Sequence, residues 1–411
     1  MKHIAFCKIG KSIKFASAFS PIGGDNEAPS LLRLLANNNP DITFHIVGRS
    51  DFYKLSQKER INLFNYDNVV DSFEGKRGAA NEDTVIDYFN DLGFQPDACI
   101  SMVGQVGTVT IPNRIQQVKN PDLTASVIDM TKNYSTPITK WWNENTNMKL
   151  VEIINDPRYV LNQSRDIIIN PTVSLGQYDY TYKKSTMLSY ENQERVDHEI
   201  HASYAGVERI FQYDRKFVEA RADGRDTNFM IVLNEGSPSR YKTLNQWVLN
   251  KIDDVEIYGK WEHPETENDP RFKGSMKLEE LQEKLKSVRA TFIIPIAPGW
   301  VTSKYIEMIN AGVIPFFHES YDTQDNTKVP SWLRIKTADQ FAQALELVAN
   351  DEVYNKMIKE LQDTFCTKEY YDGTALNDIV MSNTIEDYVR PDLSKYEKAE
   401  IEPEGLESFF G

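Results

Sequence analysis

The stretch from Thr291 to Phe317 constrains the fold of this chain more than any other. Thr291 to Ile296 is a short apolar, β-branched run, punctuated by Pro295 and followed by Pro298 and Gly299, and it predicts a buried strand. Thr302 or Ser303 can cap a helix whose first turn carries Lys304 and Glu307. Gly312 stops that helix before a second apolar run, Val313 to Phe317. Strand, polar turn, short helix, glycine and strand make a βαβ unit. Its helix N-terminus opens at the carboxyl end of a parallel sheet, where unpaired amides and the helix dipole attract anions. The expected ligand carries phosphate.

The alternation extends along the chain. Ile4 to Ile9, Ile42 to Val47, Val69-Val70, Ala98 to Met102, Ala125 to Ile128, Leu150 to Ile154 and Asp166 to Ile169 read as strands. Between them, Ser30 or an earlier polar residue caps a helix with Leu31, Leu34 and Leu35 on one face. Glu82 to Leu92 does the same with Val85, Ile86 and Phe89. Residues 176–226, rich in Tyr, Lys, Glu and Asp, break the rhythm, and Tyr178, Tyr180, Tyr182 and Tyr190 read as a half-buried hairpin or a stacking surface. A second series follows: strand Asn228 to Leu233, turn Asn234 to Arg240, helix Tyr241 to Leu249 and strand Val255 to Tyr258, closed by Gly259. A helix then buries Leu278, Leu281, Leu285 and Val288, and Ala338 to Ala349 and Val353 to Phe365 are further helices.

A chain of 411 residues exceeds one ordinary core. The expectation is an α/β protein with two Rossmann-like domains facing across a cleft, 1–200 and 226–365. Residues 366–411 would form a C-terminal helix and tail that pack back on the first domain.

Composition narrows the function. Three cysteines cannot make a disulfide framework, no apolar run spans a bilayer, and the first residues read as a strand; a cytoplasmic protein is expected. The net charge of −15 disfavours a nucleic-acid partner without excluding a local basic groove. The chain has no Asp-x-Asp pair to hold a divalent ion on a diphosphate, so no metal is expected. His198 and His201 lack a third ligand and read as surface residues at helical spacing. The absence of a P-loop and of Gly-x-Gly-x-x-Gly weighs against ATPases and dinucleotide dehydrogenases.

The second half carries a more specific pattern. A strand is followed by Arg240 and Lys242, then by a strand ending Tyr258-Gly259, a Phe272-x-Gly274 segment and a leucine-rich helix. The series ends with Thr302-Ser303-Lys304-x-x-Glu307-x-x-x-Ala311-Gly312-x-x-Pro315. This succession resembles the donor-binding domain of GT-B glycosyltransferases, especially the group-4-like retaining type, and some phage DNA-modifying glucosyltransferases share the fold. It departs from that pattern in lacking Lys-Gly after the first strand, leaving Arg240 and Lys242 as alternatives for the cationic role. The resemblance implies a transferase that takes a nucleotide-diphospho-sugar as donor, with no separate cofactor and no membrane partner. Arg240 or Lys242 and the amides of Thr302, Ser303 and Lys304 would hold the diphosphate, and Glu307 the ribose hydroxyls.

In the first half, the Gly23-Gly24 turn resembles the glycine-rich loop by which donor phosphate or sugar approaches the backbone, with Asp25 and Asn26 beside hydroxyl groups. Asp156, after the strand Leu150 to Ile154, is placed to deprotonate or orient an acceptor hydroxyl, although Asp-Pro also opens ordinary turns. Asp156 and Asp25 are the candidate catalytic carboxylates. The acceptor is open: a saccharide, a protein, a small molecule, or hydroxymethylpyrimidine DNA of a phage. A nucleotide-sugar 2-epimerase and a non-catalytic sugar-nucleotide-binding scaffold are the rival readings.

Overall fold

The first sheet is built on β1 (Lys2–Cys7), whose residues Ile4 to Cys7 are all fully buried, as a strand covered on both faces must be. The chain continues through α1 (Glu27–Asn38), β2 (Ile42–Val47), α2 (Gln57–Leu63), β3 (Val69–Val70), α3 (Glu82–Asp91) and β4 (Ala98–Met102). Then come β5 (Thr108–Thr110), β6 (Lys149–Ile153), β7 (Tyr159–Asn162), β8 (Ile167–Asn170) and β9 (Glu199–His201). Seven of these strands form one sheet in the order β3-β2-β1-β4-β6-β8-β9, every neighbouring pair parallel, while β5 and β7 pair antiparallel. Ala5, Cys7 and Cys99 pack on one face against Tyr88, Phe89 and Trp142. Both cysteines are buried and stand outside any disulfide.

This computed structural model describes residues 2–7, 13, 15, 27–71, 73, 82–102, 108–110, 141–142, 144–153, 159–162, 167–170, 199–201, 219–236, 238–295, 304–322, 329–366 and 374–394.

The second sheet contains β10 (Thr227–Val232), β11 (Glu256–Tyr258), β12 (Phe272–Gly274), β13 (Val288–Ile293), β14 (Ile314–His318) and β15 (Arg334–Ile335). Its order, β12-β11-β10-β13-β14-β15, is again parallel throughout. The strand order reverses between β10 and β13, which is where doubly wound sheets bind ligands outside the carboxyl strand ends. Its helices are α4 (Pro238–Leu244), α5 (Leu278–Leu285), α6 (Lys304–Asn310), α7 (Ala338–Ala349) and α8 (Asp351–Phe365). Phe292 stacks on Phe341, which also meets Phe229 and Phe316 edge-on, so α7 closes one face. After α8 the chain forms α9 (Thr374–Thr384), which packs on α1, β4 and β6 of the first sheet. There Asn39 donates to Asn377 at 2.7 Å, Asn377 to the Tyr388 hydroxyl, and that hydroxyl to Asn39, closing a ring of polar groups with no partner left over.

The amino ends of the second sheet are fastened by arginines. Arg225 donates to the carbonyls of Leu285, Val288 and Ala311, joining the end of α5, the start of β13 and the end of α6. Arg289 inside β13 donates to the carbonyls of Arg225, Val348 and Ala349 and pairs with Asp351 at 2.6 Å. Tyr354 lies within 6 Å of both guanidinium groups and donates to the Gly312 carbonyl at 2.6 Å.

Four expectations about boundaries change. α1 starts at Glu27 with Pro29 in its first turn, where a missing N–H costs nothing, so Ser30 lies inside the helix and the alternative of an earlier polar cap is the one left. β13 starts at Val288 and ends at Ile293; Arg289 hid its beginning because a buried arginine reads as polar. For the same reason Val288 belongs to the strand and not to the helix before it. The helix expected over Tyr241 to Leu249 is α4 followed by a π-helical turn, Asn245–Leu249. His201 lies in β9, so it is a strand residue and not helical.

Gly312 sits at φ +77°, and a Cβ there would lie 2.2 Å from an Arg225 nitrogen and 2.4 Å from the Ala220 Cβ. Gly312→Ala should therefore cost about 2–4 kcal/mol, combining a left-handed backbone with a displaced, hydrogen-bonded guanidinium. Urea denaturation reads this directly, and a loss below about 1 kcal/mol would contradict the packing argument.

Candidate functional site

At the opposite, carboxyl end of the second sheet, loops after three strands are tied together. The segment after β10 is locked to the one after β11. Lys260 donates to the Asn234 side chain at 2.7 Å, Glu235 N–H to the Lys260 carbonyl at 2.8 Å, and Glu262 and His263 N–H to the Glu235 carboxylate. Gly259 makes this approach possible. It has φ +130°, and a Cβ would fall 2.0 Å from the Leu233 carbonyl oxygen.

Arg240 stands on this platform, in the first turn of α4. Its Nη1 donates to the Asn234 carbonyl, while its Nε is buried and unpartnered. The side chain keeps an opening to solvent, yet burial is deep enough to push its pKa down to about 10, against a smaller opposing effect of the nearby Tyr321. Among the described residues no carboxylate pairs with it. Next to it, Tyr241 stacks on His263 with ring centroids 3.6 Å apart and donates to Glu265 at 2.8 Å. Burial and then Glu265 push the Tyr241 hydroxyl up to about 12, so it remains a donor that pins the start of α4. Lys242 is exposed, in the last turn of the same helix.

After β13, α6 begins at Lys304, as the βαβ spacing predicts. Lys304 and Glu307 form an i,i+3 ion pair at 2.6 Å, each about a quarter exposed. After β14, His318 ends the strand and begins a tight turn. Tyr321 N–H donates to the His318 carbonyl at 2.8 Å, Tyr321 packs on Phe317, and Asp322 faces Arg334 at 3.3 Å. Burial pulls the His318 pKa down to about 4.

Of the residues singled out in the sequence, Arg240, Lys304 and Glu307 therefore follow the neighbouring strands β10 and β13, at the point where strand order reverses. Gly23, Gly24, Asp25, Asp156, Thr302 and Ser303 lie outside the described residues. His318 and Tyr321 were not anticipated; the only local signal was a polar residue closing an apolar strand run. Among the described residues no group of three or more His, Cys, Asp and Glu is placed to hold a metal ion, and no helix is long and apolar enough to cross a membrane.

Two doubly wound sheets in sequence, with the last helix returned to the first, match known structures over nearly the whole chain. T4 phage β-glucosyltransferase in complex with its UDP-glucose substrate aligns with a TM-score of 0.53 and 11% identity, covering 93% of this chain and 99% of that one. The chain has the GT-B fold. The T4 phage enzyme with UDP and Mn2+ gives 0.51 at 12% identity, and a glycosyltransferase from Rickettsia africae gives 0.50 at 10%, each over the same shares of the two chains. No protein-family model and no curated protein matches the sequence.

The depressed pKa of His318 has a signed consequence. The ring stays neutral when folded, so its contribution to stability is complete above pH 6.5, the value for free imidazole, and is lost as pH falls toward 4. Imidazole resonances followed by NMR should show His318 untitrated down to pH 5, with unfolding stability declining below pH 6.5. A titration midpoint near 6.5 would refute this description of its surroundings.

Proposed function

We propose that the protein is a glycosyltransferase that moves a sugar from a nucleotide-diphospho-sugar to an acceptor hydroxyl. One observation carries the reading. Arg240 is a largely enclosed guanidinium with an unpartnered Nε, standing at the switch point of a GT-B sheet. An enclosed cation without a counter-ion is unfavourable by itself and becomes favourable beside a diphosphate. Arg240, rather than the exposed Lys242, is assigned the diphosphate. Lys304 and the amides of Thr302 and Ser303 assist it, and Glu307 accepts from ribose hydroxyls. Gly23 and Gly24 let the donor approach the first domain.

In the reaction, the acceptor oxygen bonds to the anomeric carbon while the bond to the diphosphate oxygen breaks. Asp156 takes the acceptor proton, with Asp25 orienting sugar or acceptor hydroxyls, and the nucleoside diphosphate leaves with the bonding electrons. Its developing charge meets a cation already fixed in place, which is the effective form of electrostatic catalysis. The sequence has no Asp-x-Asp pair, and Arg240 with Lys304 supplies positive charge, so we propose turnover without a metal. Activity retained in EDTA supports this; loss restored by Mn2+ refutes it.

UDP-glucose is the first donor to test, because the T4 phage enzyme binds it. A binding donor should raise the melting temperature by mass action. Arg240→Ala and Glu307→Ala should each weaken that donor about tenfold or more, as expected for lost charge-assisted hydrogen bonds. Asp156→Asn should instead lower turnover at saturating donor. Formation of an epimer without any acceptor would replace the transferase by an epimerase. Donor binding with no turnover on any acceptor would favour the scaffold reading.

For the acceptor we propose duplex DNA carrying hydroxymethylpyrimidine. The overall charge hides an asymmetry that supports it. Residues 1–66 contain nine Lys and Arg against five Asp and Glu, a net of +4, whereas the remainder carries −19. Affinity for phosphate depends on local charge. Arg49, Lys54 and Lys58 of this segment are exposed just beyond the carboxyl end of β2. Binding of a hydroxymethylated duplex should weaken steeply with salt, and Lys54→Gln with Lys58→Gln should flatten that slope. Salt-independent binding, or none, would move the acceptor to saccharides or proteins.

A further inference from the structure

We infer that Glu235 is a positioning residue for the donor site: its carboxylate clamps the segment after β11 onto the segment after β10 and so fixes the carbonyl that holds Arg240. The role rests on the assignment of Arg240 to the donor diphosphate. It is carried by a circuit of contacts that leaves the guanidinium and returns to the residue next to it in the chain.

The circuit starts where Arg240 Nη1 donates to the backbone carbonyl of Asn234. The guanidinium is therefore only as well oriented as Asn234 is. Register pairing of β10 with β11 ends at Val232 and Tyr258, and Asn234 is exposed beyond that point, so other groups must hold it. Four hydrogen bonds do so. The Asn234 side-chain oxygen accepts the Lys260 N–H at 2.7 Å, and the Glu235 N–H donates to the Lys260 carbonyl at 2.8 Å. One oxygen of Glu235, Oε2, then accepts the successive N–H groups of Glu262 at 2.6 Å and His263 at 2.8 Å. Two amides converging on an anionic oxygen make charge-assisted bonds, roughly twice as strong as neutral ones. They are the strongest part of the clamp.

His263 carries the circuit back. Its carbonyl accepts the Thr266 N–H and hydroxyl at 2.9 and 2.7 Å, and its Nδ1 accepts the Glu265 N–H at 3.4 Å. The imidazole lies flat on Tyr241, with centroids 3.6 Å apart and planes 11° apart, and the Tyr241 hydroxyl donates to Glu265. Tyr241 follows Arg240 directly in α4. Glu235 thus secures Arg240 from both ends, its guanidinium through Asn234 and its backbone through His263 and Tyr241. Among the described residues the carboxylate forms no ion pair with Arg240. It supports the cation without neutralising it, whereas a carboxylate paired with Arg240 would compete with a diphosphate for the same donors.

The clamp can be opened and restored. Ala at position 235 leaves both amides to water, while Gln offers one uncharged oxygen able to accept both. Affinity for UDP-glucose by titration calorimetry, and melting temperature, should be measured for Glu235→Ala, Glu235→Gln, Arg240→Ala and the double variant Glu235→Ala with Arg240→Ala. With the clamp open, a guanidinium in its binding orientation about one fifth of the time raises the donor Kd about fivefold. Glu235→Gln should bind no more than about twofold more weakly than the wild-type protein, since it keeps the acceptor. In the Arg240→Ala background, Glu235→Ala should change Kd by less than about twofold, because an effect that passes through Arg240 vanishes with it.

A folded Glu235→Ala with wild-type affinity overturns the inference, as does Glu235→Gln as impaired as Glu235→Ala. An equal effect of Glu235→Ala with and without Arg240 also overturns it, since the carboxylate would then act on the donor by another route. Should Glu235→Ala not fold, Asn234→Ala decides. It removes the acceptor for Lys260 but keeps the carbonyl that holds Arg240, and should weaken UDP-glucose roughly twofold to threefold, about half of one ordinary hydrogen bond. Unchanged affinity in it counts against the clamp. If Arg240→Ala weakens UDP-glucose and the Glu235 and Asn234 variants do not, the donor site stands and the positioning role falls. If Arg240→Ala leaves affinity unchanged, or the wild-type protein does not bind UDP-glucose, both fall.

Discussion

The second sheet depends on Arg225. A guanidinium taken out of water is costly unless its donors are met, and Arg225 meets its requirement with three backbone carbonyls drawn from the ends of α5 and α6 and the start of β13. Two of those carbonyls belong to helix C-termini, where the partial charge is negative, so a cation there is favoured twice. Gly312 lets the chain turn directly onto this group, and Tyr354 covers it from α8. One side chain thereby fixes the angle at which α6 leaves the amino end of the sheet. The other end of α6, with Lys304 and Glu307, is aimed by the same contact.

Arg240 lies near the other end of that sheet and is built on the opposite principle. Arg225 and Arg289 have their donors satisfied by backbone and by Asp351, and they are structural. Arg240 has one carbonyl partner, from Asn234, and a buried Nε with none. Its supports are stiff nonetheless: Gly259 packed on Leu233, Glu235 bound to two amides, and Tyr241 held between His263 and Glu265. A cation whose surroundings are rigid and whose hydrogen bonds are incomplete is prepared for an anion without reorganising. The contrast between satisfied and unsatisfied arginines around one sheet separates scaffold from candidate site more clearly than residue type does.

Strand periodicity made most of both sheets legible in the sequence, because largely buried parallel strands such as Ile42–Val47 and Ile314–His318 announce themselves as apolar runs. The βαβ spacing around Lys304 and Glu307 was legible for the same reason. Arg225 was not. It stands in Ala222-Asp223-Gly224-Arg225-Asp226, which reads as a solvated turn, and its carbonyl partners lie 60 to 86 residues away in sequence. Arg289 concealed a strand start in the same way. The surroundings of His318 were invisible because its ring neighbour is Trp247, whose placement requires a π-turn that no local preference signals. Net charge conceals distribution as well, since the whole-chain sum of −15 adds a first segment at +4 to a remainder at −19.

The ion pair between Lys304 and Glu307 connects the structure to the proposed complex. An i,i+3 pair that remains partly in water stabilises by well under about 1 kcal/mol, so separating the two side chains costs little. Each has a better use once a donor is present. In the proposed complex, hydrogen bonds from ribose hydroxyls to Glu307 and from Lys304 to a phosphate oxygen would be charge-assisted, each worth roughly 1.5–3 kcal/mol. Until then the pair keeps two charges neutralised at the start of α6 and holds both side chains over the helix turn where the ligand arrives. A lone Glu307 would place an uncompensated negative charge at the start of α6 and repel an incoming diphosphate. Paired with Lys304 it does not, and the positive field of Arg240 reaches the approaching donor unopposed.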